Sequence, residues 1–139
     1  MRIVHFIMSL QTGGSETMLV DIINNQVPNN EVTLVIFNKQ VNIEILANID
    51  KRVKIIKINR REKSRNITPI VYLNLLLLKI WPDVIHSHHV SASRIILFKK
   101  NLVLTAHTTG VSCKKIRTFR QVFAISETVK NDLEKRCYI

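Results

Sequence analysis

The sequence predicts an α/β fold, in which helices cover both faces of a doubly wound parallel sheet. Short apolar runs alternate along the chain with segments of helical period, the pattern of strands joined by crossover helices. Hydrophobic residues make up 46% of the 139 residues but aromatic residues only 6%, which predicts a core of Ile, Val and Leu. Because no repeat or Gly/Pro-rich linker divides the chain, we expect a single domain over residues 1–139.

The first half of the chain contains three predicted strands and two helices. Ser15 is the predicted N-cap of the first helix, which proline ends at Val27-Pro28. A shorter helix is predicted over Val41–Ile49. The strands are the apolar runs Arg2–Met8, Glu31–Phe37 and Val53–Ile58.

The third predicted helix, Ile70–Ile80, is apolar nearly all round. Asn66 or Thr68 is its predicted N-cap, Pro69 is tolerated in its first turn and Pro82 stops it. A helix without a polar face is normally buried, so we expect it to be deeply buried or covered by a partner.

Three further strands and two helices follow. The helices are predicted over Ser91–Phe98 and from the N-cap Ser126 through Arg136, with a loop over His107–Ser112 between them. The strands are Asp83–His86, Leu102–Ala106 and Gln121–Ile125. Right-handed crossovers then predict the Rossmann-like strand order 3-2-1-4-5-6.

This strand order predicts where a ligand binds. Ligands of such sheets lie outside the carboxyl ends of the strands, at the switch point between strands 1 and 4. The polar residues that follow strands 1, 4 and 5 should therefore share one crevice: Gly13, Gly14, His88, His89, His107 and Thr108.

His107 is the candidate catalytic residue. An imidazole at the end of strand 5 can hydrogen-bond a sugar hydroxyl or a developing charge, although a histidine that merely closes the strand is the alternative. Gly13 and Gly14 precede a helix N-terminus, where backbone N–H groups can approach a phosphate. The same glycine pair is also compatible with a simple tight turn.

Several cofactor classes are disfavoured. G-x-G-x-x-G is absent, no acid follows strand 2 and no Gly-Lys-Ser/Thr occurs, which argues against dinucleotide enzymes and P-loop NTPases. His86, His88 and His89 suggest a metal, but adjacent strand residues point to opposite faces and no acid lies nearer than Asp83. We therefore expect no metal or other cofactor, and a core role for His86.

The net charge of +11 is unevenly distributed: basic residues are concentrated in Arg94–Arg120 and in the segment Lys51–Arg65. Such a segment attracts phosphates, and its position beside the apolar third helix predicts peripheral contact with an anionic membrane. Nucleic acid is not expected as a partner, because no nucleic-acid-binding motif accompanies the charge. The basic residues of this segment are Lys51, Arg52, Lys54, Lys57, Arg60, Arg61, Lys63 and Arg65.

Cysteine usage and the termini predict a cytoplasmic protein. Cys113 and Cys137 are isolated, with no CxxC and no framework spacing, so both thiols are expected to be free in a reducing compartment. The apolar N-terminus lacks the features of a secretory signal, and the longest apolar run is too short to span a bilayer.

Four segments together resemble glycosyltransferase family 4, whose members have the GT-B fold. The opening strand followed by Gln11–Asp21 is similar to the family's apolar strand and Gly-Gly-Ala-Glu-type helix start. Pro82–His88 resembles its Pro-Asp-Val-Val-His-x-His segment, Leu104–His107 its Thr-x-His, and Phe123–Glu127 its apolar-Ser-Glu helix entry. Ser15 replaces the family's usual Ala, and Thr17 its usual basic residue.

The resemblance implies half of a two-domain retaining transferase that needs no metal. The N-terminal domain would bind the acceptor, a glycan or glycolipid of bacterial surface polysaccharide synthesis, while a C-terminal domain holds the nucleotide-sugar. Gly13 and Gly14 would approach the donor diphosphate, His107 the transferring sugar, and Ser126 and Glu127 would lie near the domain cleft.

The C-terminal domain and its Glu-x7-Glu motif are absent from this sequence. The chain alone is therefore expected to be inactive, because half a cleft cannot orient donor against acceptor. The alternative is a non-catalytic module that binds a separate donor-domain subunit or an anionic membrane.

Overall fold

A computed structural model describes residues 1–139 and contains one six-stranded, all-parallel sheet. The strand order is β3-β2-β1-β4-β5-β6, which confirms the predicted doubly wound topology. Each predicted strand is present, with ends shifted by at most two residues. The strands are β1 (Arg2–Ile7), β2 (Glu31–Asn38), β3 (Lys54–Arg60), β4 (Val84–Ser87), β5 (Leu102–Ala106) and β6 (Gln121–Ala124).

Six α-helices connect the strands or follow them. The structure adds one short helix, α5, that the sequence did not predict, and it shortens the predicted second and fourth helices. The helices are α1 (Gly14–Gln26), α2 (Ile43–Ala47), α3 (Thr68–Ile80), α4 (Ala92–Ile95), α5 (Cys113–Ile116) and α6 (Glu127–Cys137).

The caps of the helices follow the sequence only in part. Ser126 caps α6 as predicted, because its Oγ accepts a hydrogen bond from the Val129 N–H. The prediction of Ser15 as the N-cap of α1 is wrong: Gly13 is the N-cap, and Ser15 Oγ instead donates to Glu16 Oε2. Helix α1 ends at Gln26 with Val27 as its C-cap, as predicted, and a 3-10 turn follows over Val27–Asn29.

Helix α3 also begins differently from the prediction. Its N-cap is Ile67, without a side-chain cap, while Asn66 Oδ1 accepts a hydrogen bond from the Thr68 N–H. Trp81 ends the helix in a left-handed conformation, with φ 50°, immediately before Pro82.

Helix α3 is not deeply buried. Leu73 and Leu77 enter the core, but four large apolar side chains on its outer side are about half exposed or more: Val71, Tyr72, Leu75 and Leu78. The expectation of deep burial is therefore wrong, since the helix packs one side on the sheet and leaves the other in solvent. No helix of this structure has the length and apolar character needed to span a membrane.

Asn74 is the polar exception on the buried side of α3. Its Nδ2 donates to the carbonyls of Ile70 at 2.8 Å and Ile95 at 2.7 Å, and its Oδ1 accepts from the Leu97 N–H at 2.9 Å. These bonds satisfy backbone groups where α4 ends, which explains an amide in a nearly apolar helix.

The two cysteines form a disulfide, so the prediction of free thiols is wrong. Cys113 begins α5 and Cys137 ends α6, and their Cα atoms lie 5.1 Å apart. The sequence did not reveal this pairing because α5 was unpredicted and 24 positions separate the two residues.

Two clusters of buried apolar residues form the core around the sheet. A cluster of 17 buried residues includes Val4 and Phe6 of β1 with Leu73 and Leu77 of α3. A second, of 11 residues, includes Ile7 of β1 and packs under α1. Because successive strand residues alternate between faces, His5 lies on the same face as Ile7.

Candidate functional site

A polar pocket of about 400 Å³ lies at the carboxyl ends of β1, β2 and β4, where the strand order predicts a ligand site. Residues from the loops after β1 and β4 line it together with the ends of β2 and β3. Its polar lining residues are Ser9, Ser15, Glu16, Asn38, Arg60, Glu62, His88 and His89.

A larger pocket of about 800 Å³ lies elsewhere, along β6 and α6. It is lined by exposed apolar side chains such as Phe123 and Ile125 and also by Ser126 and Glu127. Size alone does not identify a site, and the smaller pocket carries the convergent polar groups that a binding site needs. The structure therefore separates Ser126 and Glu127 from the pocket at the switch point.

The two glycines open the N-terminus of α1. A Cβ added at Gly13 would lie 2.5 Å from Glu16 Oε2, whereas one added at Gly14 would meet nothing within 4 Å. The carboxylate of Glu16 thus lies against Gly13, beside the first turn of the helix. A phosphate could approach these N–H groups only if this flexible side chain turned away.

Three imidazoles pack together beside this pocket. His5 and His86 are register partners in the β1–β4 pair, and His88 follows two residues later, so all three rings project to the same face of the sheet. Their ring centroids are 4.5 to 5.4 Å apart. All three side chains are buried, which confirms that His86 is a core histidine.

Hydrogen bonds hold this histidine cluster. His5 Nε2 lies 2.7 Å from Gln26 Oε1 of α1, and His5 Nδ1 lies 3.1 Å from His88 Nε2. His86 Nε2 lies 2.7 Å from Thr105 Oγ1 of β5. His88 Nδ1 is buried and has no hydrogen-bond partner.

Burial keeps these rings neutral at neutral pH. It lowers the pKa of His5 from 6.5 to about 4, with a smaller opposing contribution from the Gln26 hydrogen bond. Burial, followed by the repulsion of neighbouring histidines, lowers the pKa of His86 to about 3 and that of His88 to about 2. Neutral imidazoles offer lone pairs and N–H donors but no fixed charge.

His107 lies at the end of β5, with its ring centroid 5.8 Å from that of His88. Its Nε2 is buried and has no hydrogen-bond partner in the protein. Burial lowers the pKa of His107, while the Glu16 carboxylate acts in the opposite direction. His107 is therefore near both the histidine cluster and the start of α1, and Thr108 beside it is exposed.

His88 and His89 have different environments. His88 is buried in the cluster, whereas His89 is exposed and its Nδ1 accepts a hydrogen bond from the Ser91 N–H. Of these two neighbours, only His88 belongs to the group of histidines whose ring nitrogens lie close together. Both nevertheless line the polar pocket.

In the basic segment, two arginines make side-chain contacts with other residues, and the remaining predicted patch residues are exposed. Arg60 lines the polar pocket, donates to Asn38 Oδ1 and the Ser64 carbonyl, and lies over the ring of Phe37. Arg52 forms an ion pair with Asp50 at 2.7 Å. The other residues predicted for the membrane or phosphate patch are exposed: Lys51, Lys54, Arg61, Lys63 and Arg65.

Sequence reasoning missed two members of the site. His5 lies in the middle of a buried strand, and only the register of β1 against β4 brings it to His86 and His88. Arg60 was assigned to a surface patch, yet it ends β3 beside Asn38 of β2. The signal that could have revealed His5 is its place in a parallel strand next to the strand that carries His86.

Comparison with known proteins identifies the family. A model of Glycosyltransferase Family 4 matches residues 12–139, which include the α1 start, the histidines of β4 and β5, and α6. None of the curated proteins has a significant match to the sequence. Because the family model covers nearly the whole chain, the protein belongs to glycosyltransferase family 4.

Proposed function

We propose that this chain is the acceptor-side domain of a retaining glycosyltransferase. In this proposal it binds a glycan or glycolipid acceptor in the synthesis of a bacterial surface polysaccharide or glycolipid. The observation that carries the proposal is the unpartnered, buried Nε2 of His107, beside His88 and the start of α1. A buried ring nitrogen without a partner can be satisfied by a sugar hydroxyl.

Neutral His107 suits this role. Burial disfavours the imidazolium form, so at neutral pH the ring can donate or accept one hydrogen bond without acting as a counter-ion. In a sugar transfer, such a bond would orient the reacting sugar and stabilise charge that develops at its hydroxyls. Gly13 and Gly14 leave the N-terminus of α1 open to the donor diphosphate once Glu16 turns away.

The nucleotide part of the donor requires a second domain. Where dinucleotide-binding Rossmann domains carry an acid for the ribose, β2 ends in Asn38, which is bonded to Ser9 and Arg60. We therefore infer that a donor domain, on the same or another polypeptide, closes over the polar pocket. The transfer itself is proposed to need no metal ion, and Ser126 and Glu127 would face the domain cleft.

Reconstitution tests this proposal. The chain is combined with a family 4 donor domain, and transfer of radiolabelled sugar from UDP- and GDP-sugars to bacterial membrane lipids is measured. We expect transfer only when both parts are present, and a loss of about 10²- to 10³-fold in kcat for His107→Asn, typical of one lost transition-state hydrogen bond. Asn131→Ala, at an exposed position of α6, is the matched control.

Two results would contradict the proposal. Transfer by the purified chain alone would show that no second domain is needed. Undiminished transfer by a reconstituted His107→Asn enzyme would remove His107 from the reaction.

A second candidate function, a non-catalytic module that docks on membranes, is favoured by the outer side of α3. Ile67, Val71, Leu75 and Leu78 follow one another at helical spacing and are all exposed. The exposed cations Arg61, Lys63 and Arg65 lie just before this helix. An apolar stripe next to cations suits the interface of an anionic bilayer.

Liposome sedimentation tests the docking. We expect the chain to sediment with vesicles containing phosphatidylglycerol at low salt, and Leu75→Asp with Leu78→Asp to abolish this. Ala47→Asp, at an exposed position of α2, controls for added negative charge. Equal sedimentation with purely zwitterionic vesicles, or none with anionic ones, would refute an anionic-membrane role.

A further inference from the structure

We propose that His5, His86 and His88 form a binding site for a divalent transition metal ion of the zinc class. One ring nitrogen from each residue lies within 4.8 Å of those of the other two. Modest rotation of the rings would bring these atoms to the separations that a zinc ion with Zn–N bonds of about 2.0–2.1 Å requires. The inference does not depend on the proposed sugar transfer.

The donor set fits this class of ion. Three imidazoles are typical ligands of zinc, copper and nickel, whereas magnesium and calcium prefer oxygen ligands. A metal-ligating imidazole must be unprotonated, and burial already holds all three rings in the neutral form. The chain's two cysteines do not compete, because they are joined in the disulfide.

Two further contacts support the site. Gln26 Oε1 accepts a hydrogen bond from His5 Nε2–H, which leaves a lone pair on His5 Nδ1 directed at His88. This is how supporting residues commonly orient metal-binding histidines. The buried Nδ1 of His88 has no hydrogen-bond partner, so one ring nitrogen of this histidine is left unsatisfied by the protein.

The polar pocket is the route by which an ion would reach the cluster. Of the three histidines, His88 lines this pocket at the switch point. Because His5 is on β1 and His86 on β4, a bound ion would cross-link the two central strands. The sequence analysis considered only His86, His88 and His89 as metal ligands, and His5 supplies the ligand that this set lacked.

Zinc titration tests the proposal. The untagged chain is stripped with a chelator and titrated with ZnCl₂ in competition with a chromophoric chelator, and CoCl₂ is used to record visible absorption. We expect one ion per chain, with the bands of four-coordinate cobalt. Gln26→Leu should weaken zinc binding by about 10- to 100-fold, and His5→Asn or His86→Asn by more, because they remove ligands.

Asn131→Ala, at an exposed position of α6, is the control and should leave zinc affinity unchanged. Ring ¹⁵N chemical shifts of the wild-type chain avoid any problem of variants that fail to fold. Zinc should shift the rings of His5, His86 and His88 and not that of His89. No stoichiometric binding, binding retained by both ligand variants, or shifts confined to His89 and His107 would each overturn the site.

Discussion

The centre of the sheet and its β6 end are stabilised in different ways. In β1, every residue after Arg2 is buried, whereas no residue of β6 is fully buried. The centre places uncharged polar groups in its core and satisfies most of them with internal hydrogen bonds, while the β6 end is joined covalently through α5 and α6. The difference indicates that burial holds the middle of this fold, and that the margin needs additional support.

Two phenylalanines provide the largest test of this contrast. Phe6 of β1 is fully buried and packs near Phe37, whereas Phe123 of β6 is 49% exposed. We expect Phe6→Ala to lower the free energy of unfolding by about 3–5 kcal/mol, and Phe123→Ala by less than about 1 kcal/mol. Urea unfolding followed by circular dichroism measures both; similar losses would remove the distinction between centre and margin.

Acid should destabilise the centre selectively in the chelator-treated chain. The pKa of His5 falls from 6.5 to about 4 on folding, so the folded state favours the neutral ring. Its contribution is complete above pH 6.5 and is lost as the pH falls toward 4, because the unfolded chain binds a proton that the folded chain resists. His5 alone accounts for about 3 kcal/mol, and His86 and His88 act in the same direction.

Urea unfolding at a series of pH values checks this dependence. His5→Asn should be less stable at neutral pH and should show a shallower loss of stability between pH 6.5 and 4. A wild-type free energy of unfolding that stays constant across this range would show that the rings are not held neutral.

The disulfide is the third test of this comparison, at the margin. Closing a loop between positions 24 residues apart is expected to stabilise the fold by about 3.5 kcal/mol. The double variant Cys113→Ser with Cys137→Ser should lose this amount in urea unfolding, and reductant should then have no further effect. Iodoacetamide labelling of the wild-type chain without reductant checks the bond directly, since free thiols would be labelled.

The sequence was sufficient to predict the strands and their order, but not which side of a helix faces the core. Each strand is a local apolar run, and strands that alternate with helices admit few arrangements, so the number of strands and their order were predictable. The exposure of α3 was not, because a helix that is apolar on all sides carries no periodic signal for the side that faces the core.

The candidate site was also predictable only in part, because strand order could be predicted but side-chain contacts could not. Topology alone brings the ends of β1, β4 and β5 together, so the positions of His88 and His107 beside the start of α1 followed from the strand order. The contacts of His5 did not, because they depend on strand register across more than 80 positions. The disulfide was missed because α5, which carries Cys113, has only four residues and a weak local signal in the sequence.

Asn74 has a consequence for the apolar outer side of α3. Its side chain makes three hydrogen bonds, one to a backbone group of α3 and two to backbone groups where α4 ends. These bonds fix the rotation of α3 about its own axis. A rotation that hid Leu75 and Leu78 would leave a buried amide, and the backbone groups near Ile95, without partners. The helix therefore cannot conceal its apolar side by turning, and whatever covers that side must approach from outside.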